Sequence, residues 1–68
     1  MATFSATHVI TVPSRGEEIL VEECDGVLYT KAEVESETAG DWEYDEIDGL
    51  TFQGGFPAWA DGAAIRRI

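Results

Sequence analysis

The sequence predicts a small, mostly β domain: an antiparallel meander of five to six strands, curled into a sheet or small barrel, with room for a short C-terminal helix. Three observations carry this expectation. Apolar residues recur at every second position in several short stretches, the period of a half-buried strand. Asp25-Gly26, Asp48-Gly49 and Asp61-Gly62 are turn dipeptides of the kind that close hairpins. A chain of 68 residues has room for one core only, so residues 1–68 form a single compact domain.

The first strand is expected over residues 3–12. Phe4, Ala6, His8, Ile10 and Val12 share one face there, while Thr3, Ser5, Thr7, Val9 and Thr11 take the other. Pro13-Ser14-Arg15-Gly16 supplies a turn, with proline fixing φ and glycine free to adopt φ > 0. Residues 18–22 make a short second strand. Asp25-Gly26 then predicts a type I′ turn into a third strand over residues 27–34 or a little beyond. Ala39-Gly40 breaks the chain, and residues 42–47 form a fourth strand. Asp48-Gly49 turns it back into a fifth over residues 50–53. Past Gly54-Gly55, Pro57 is able to start a short helix through Trp59, but Asp61-Gly62 favours a closing strand over residues 63–68.

Charge is distributed very unevenly along this frame. Thirteen of the fourteen carboxylates fall between Glu17 and Asp48, where Lys31 is the only cation, a formal −12. Arg15, Arg66 and Arg67 against Asp61 make the remainder +2, which gives the −10 of the whole chain. A solvated acidic tail lacks apolar residues and stays disordered. Here the acids alternate with Ile, Leu, Val, Trp and Tyr, and 44% of the chain is hydrophobic, so the block is expected to fold and fix its charge on a surface. Dense like charge weakens a small domain, and the usual remedies are a neutralising partner or a homodimer with a larger core.

Several functional classes are disfavoured by the residues themselves. His8 is the only histidine and lies on the apolar face of its strand, the place of a structural histidine. Ser5, Ser14, Ser36 and Cys24 have no base-and-orienter signature around them, so no catalytic set is expected. Asp41, Glu43, Asp45, Glu46 and Asp48 are hard oxygen ligands of the kind calcium prefers, but Gly49 is followed by Leu50-Thr51-Phe52-Gln53-Gly54-Gly55, which breaks the EF-hand pattern. No cofactor or specific metal is expected. The single cysteine excludes an internal disulfide and suits a reducing, cytoplasmic compartment. The first residues have neither a basic region nor an apolar run, so no signal peptide is expected, and no stretch approaches the length of a membrane span. A surface this anionic is also expected to repel nucleic acid and anionic lipid.

The remaining candidate is the acidic surface. On strands, Lys31, Glu33 and Glu35 would form one row and Glu43 and Asp45 another, with about 6.6 Å between neighbours in a row and about 4.8 Å between strands. A rigid array of carboxylates of this kind can occupy a groove built for phosphates, where Lys and Arg await a polyanion. The candidate partner-binding residues are Glu33, Glu35, Glu37, Asp41, Trp42, Glu43, Tyr44, Asp45, Glu46 and Asp48. Trp42 and Tyr44 belong to the core by default, and become interface anchors if either ring reaches the margin of the acidic face. Phe56 and Trp59 are a second aromatic pair, suited to plugging the core or to anchoring a partner.

In size, acidity and expected compactness the chain resembles small acidic proteins of bacteriophages and mobile elements, including anti-CRISPR proteins and other inhibitors of nucleic-acid-binding machinery. The resemblance carries no site residues. It implies a non-enzymatic inhibitor that binds a basic, nucleic-acid-binding protein surface, with DNA or RNA mimicry as one means. The alternative from the residues alone is a structural or assembly module, such as a phage particle component or homo-oligomer, whose acidity serves solubility.

Overall fold

A computed structural model of the chain describes residues 3–68. Six antiparallel strands form a nearly closed, barrel-like sheet: β1 (His8–Val12), β2 (Glu17–Cys24), β3 (Val27–Thr30), β4 (Trp42–Asp45), β5 (Gly49–Phe52) and β6 (Ala64–Arg67). A short helix, α1 (Lys31–Ser36), follows β3 directly. The sheet order is β5-β4-β3-β2-β1-β6. The first five strands are therefore the expected meander, whereas β6 returns to pair with β1 and not with its sequence neighbour β5.

Strand alternation builds the core. Ile10, Val12, Val21, Leu28 and Trp42 are buried on the inner face, and Ala60 joins them from outside the sheet. Ile19, Tyr44, Leu50, Phe52 and Ile65 complete the lining. His8 is buried beside them: its Nδ1 lies 2.8 Å from the Thr7 hydroxyl, and its ring sits 5.3 Å from that of Tyr44. Since β1 and β4 are not neighbours in the sheet, that ring contact crosses the barrel interior.

Before His8 the contacts to β2 are mixed: the Thr7 amide still donates to the Val21 carbonyl at 2.9 Å, but the others run through side chains. The Glu23 amide donates to the Thr7 hydroxyl, and the Ser5 amide donates to the Glu22 carboxylate. Residues 3–7 thus lie alongside β2 without forming the strand expected for them. Asp25-Gly26 is a two-residue turn with φ of 51° and 81°, the left-handed pair a type I′ hairpin requires. Asp48-Gly49 behaves differently. Asp45 pairs with Gly49, so Glu46, Ile47 and Asp48 form a three-residue loop, and β4 ends at Asp45 instead of residue 47. The Asp45 carboxylate holds the loop by accepting from the amides of Ile47 (2.7 Å) and Asp48 (3.1 Å).

The largest departure from expectation lies after Thr30. Residues 31–36 form a helix where the third strand was expected to continue. The cause is local: Thr30 and Glu33 make a capping box, with the Glu33 amide donating to the Thr30 hydroxyl and the Thr30 amide to the Glu33 carboxylate. The two bonds satisfy amides that a helix start otherwise leaves unpaired.

Between β5 and β6 the chain crosses one end of the barrel through a 3-10 turn, Ala58–Ala60. There Trp59 lies edge-on to Trp42 and Phe52, and the Ser14 hydroxyl bonds its carbonyl. The C-terminal region therefore contains the favoured strand, with a single 3-10 turn in place of a longer helix.

Candidate functional site

The expected acidic residues are distributed over α1, β4 and the β4–β5 loop. Glu33 and Glu35 lie on α1, and Glu37 caps its end. Asp41 precedes β4, Glu43 and Asp45 point outward from it, and Glu46 and Asp48 occupy the loop beyond. All are exposed except Glu33, which is half-buried. The predicted row of Lys31, Glu33 and Glu35 is absent, because in a helix residues two apart point in different directions and Glu33 shares its face with Glu37.

Trp42 is 2% exposed and packed edge-on against Phe52, Phe56 and Trp59 at 5.0, 5.5 and 6.3 Å. It offers no surface, so it is a core residue and not a partner anchor. Tyr44 also turns inward, half-buried against His8. The division of β4 into an aromatic inner face and an acidic outer face is as expected. Phe56 and Trp59 remain partly exposed, with the Arg15 guanidinium 4.9 Å from the centre of the Trp59 ring.

Sheet register explains how so much like charge is tolerated. Glu43 stands between Val27 and Thr51, Glu22 opposite Tyr29, Glu23 opposite Leu28 and Asp45 opposite Gly49. No carboxylate in these pairs faces another directly, which avoids the worst cross-strand repulsion. The register also brings in acids that the sequence reading left out of the site. Val27 pairs with Glu43, and the Tyr44 amide donates to the Gly26 carbonyl at 2.7 Å, so the Asp25-Gly26 tip lies beside β4. Asp25 therefore joins the acids of β4. Adjacency of the third and fourth strands in a meander was the signal that pointed to it.

The arginines sit elsewhere. Arg66 of β6 bonds Glu18 at 3.1 Å and Arg15 approaches Glu17 at 3.8 Å, both at the start of β2. Among the described residues no other ion pair forms. The acids from Glu22 to Asp48, eleven in all, thus have only Lys31 among them and no salt-bridge partner.

Two of these acids have altered proton affinities. Burial, together with the nearby Asp41 carboxylate, raises the Glu33 pKa above its ordinary 4.5, against the lowering effect of the Thr30 amide. The amides of Asp48 and Ile47 hold Asp45 below its ordinary 3.8. A carboxyl with a raised folded-state pKa binds its proton more tightly in the folded chain, so the stability it contributes is present at low pH and is lost as pH rises through the folded value. For Glu33 that window opens at about 4.5 and extends upward. Asp45 acts in the opposite sense, contributing stability above 3.8 that is lost on acidification. Glu33→Gln keeps the capping box but removes the titration. Urea unfolding at a series of pH values is expected to show wild-type stability falling above pH 4.5 more steeply than that of Glu33→Gln.

Glu37 adds a different strain. It occupies the left-handed region at φ 56°, and an acid there also opposes the negative end of the helix. Glu37→Gly should stabilise the chain by about 1 kcal/mol, a rise in melting temperature of roughly 4–8 °C for a domain of this size.

No helix among the described residues is long and apolar enough to cross a membrane, and no group of three or more His, Cys, Asp or Glu side chains is placed to hold a metal ion. Comparison with protein-family models, curated proteins and solved structures gives no match.

Proposed function

We propose that the protein is a non-enzymatic binding protein whose acidic side docks on a basic protein surface, of the kind that nucleic-acid-binding proteins present. One observation carries this reading: the eleven carboxylates from Glu22 to Asp48 lie on β2, the β2–β3 turn, α1 and its cap, β4 with the residue before it, and the β4–β5 loop, without ion pairs among the described residues. Holding like charges in place costs stability. A basic partner removes that cost on binding, and long-range attraction speeds the encounter. Imitation of a nucleic-acid backbone is one form of this docking, since grooves lined with Lys and Arg accept a fixed polyanion. Inhibition follows wherever the covered surface is the partner's nucleic-acid site.

The assembly-module alternative has less behind it. The large exposed apolar side chains lie on different elements: Leu20 on β2, Ile47 in the β4–β5 loop, Phe56 and Trp59 in the crossing segment and Ile68 beyond β6. Binding to a basic nucleic-acid-binding domain is expected to weaken at least about tenfold between roughly 50 and 200 mM salt, as for interfaces that neutralise several charges. Titration calorimetry at the two concentrations measures this, and salt-insensitive binding would overturn the proposal.

A further inference from the structure

Residues of helix α1 and of the outer face of β2 and β3 line an open cleft of about 420 Å³, within the size range of small-ligand sites. Its lining is mixed. Cys24 and Val34 supply apolar surface and Tyr29 an aromatic one, while Glu22, Glu33 and Glu37 bring three carboxylates. No lysine or arginine lines it.

The origin of this arrangement is in the sequence. Glu22 and Tyr29 are directly paired across β2–β3, so the acid and the ring stand side by side on the outer face. Glu33 and Val34 of α1 and Glu37 at its C-cap line the other wall of the cleft. Two of the acids have one oxygen engaged: Glu22 accepts from the Ser5 amide and Glu33 from the Thr30 amide, both at 2.8 Å. Glu33 also has the Asp41 carboxylate beside it, and none of the three acids has a salt-bridge partner among the described residues.

We propose that this cleft receives an arginine side chain presented by the basic partner. The inference rests on the docking function above and names the anchor through which docking becomes specific. An arginine matches the cleft in every part. Its methylene stem covers apolar surface such as Cys24 and Val34. The planar guanidinium stacks on an aromatic face and offers five donors in a fork that fits carboxylates. Lysine brings a compact, more strongly hydrated charge with three donors, and so loses the stacking and the bidentate geometry. The half-buried state of Glu33 beside Asp41 makes an incoming cation more favourable there than at the fully exposed acids of the β4–β5 loop.

Cys24 provides the test, as the chain's only cysteine, exposed and on the cleft wall. The probes are blocked hexa-arginine and hexa-lysine peptides, with binding followed by calorimetry and Cys24 alkylation by N-ethylmaleimide followed in parallel. Hexa-arginine is expected to slow alkylation several-fold at saturation. A cation merely held nearby favours the thiolate and speeds the reaction, so slowing runs opposite to the electrostatic effect and reports cover of the thiol. Glu22→Gln/Glu37→Gln is expected to weaken hexa-arginine binding about tenfold, and more than Glu46→Gln/Asp48→Asn, which removes the same charge from the loop. Hexa-lysine is expected to bind more weakly and to protect Cys24 less. If hexa-arginine binds but leaves alkylation unslowed, or if both double variants weaken it equally, the cleft is not the anchor, although the docking function stands. If neither peptide binds at low salt, both proposals fall.

Discussion

Replacing Trp42 with alanine is expected to unfold the protein. Its indole is 2% exposed, sits across from Leu28 and Phe52 in the sheet, and meets the rings of Phe52, Phe56 and Trp59 edge-on. Removing a buried large aromatic costs about 3–5 kcal/mol. A single domain of this size has only a few kcal/mol of stability, and like-charge repulsion lowers it further. The loss therefore reaches or exceeds what holds the chain folded. Trp42→Phe keeps a ring in the cluster and should retain a cooperative transition at lower urea. Near-ultraviolet circular dichroism and urea unfolding distinguish the three chains, and a Trp42→Ala variant with wild-type cooperativity would show that the aromatic cluster is not the centre of the core.

Gly40→Ala is expected to be as damaging for a different reason. Gly40 is buried where the chain turns from α1 into β4, and its φ is ordinary. Space is what requires glycine. An added Cβ would press into the Leu28 carbonyl oxygen, closer than real Cβ atoms come, and would lie 2.8 Å from Val27 Cγ1. Backbone cannot swing aside as a side chain can, so β3 and β4 have to separate. Overpacking of this kind costs typically 1–3 kcal/mol and more where backbone must move. We expect a loss of about 3 kcal/mol, read as a shift of the urea midpoint. Gly55→Ala, with nothing within 4 Å of its added Cβ, is strained only by its φ of 96° and should lose less.

The two substitutions also show how far the sequence could be read. Alternation along residues 8–12 and 42–45 placed Ile10, Val12 and Trp42 inside correctly, because inner and outer positions on a strand follow directly from period two. Asp25-Gly26 gave its hairpin for the same local reason. The helix α1 was legible as well, in Thr30-Lys31-Ala32-Glu33, but a short alternating pattern over residues 27–34 masked the capping signal. Other features depend on contacts distant in sequence. That β6 pairs with β1 follows from the crossing segment over the barrel end, and that Gly40 needs to be glycine follows from the approach of Leu28. Neither is written in a local pattern. The acidic face was legible as charge, yet its membership was not: Asp25 enters through strand register, and Trp42 leaves through burial.

Function turns on whether the fold arranges these acids or merely carries them. The Trp42→Ala variant answers this, since it keeps every charge of the wild-type chain and is expected to lose the arrangement. A basic nucleic-acid-binding protein retained on the immobilised chain at low salt is loaded with a fluorescent duplex oligonucleotide, and each chain is titrated in as competitor. The wild-type protein is predicted to displace the duplex at concentrations at least about tenfold lower than the Trp42→Ala variant, with both losing potency as salt rises. Displacement by the two chains at equal concentrations, or by neither, would contradict a fixed acidic docking face.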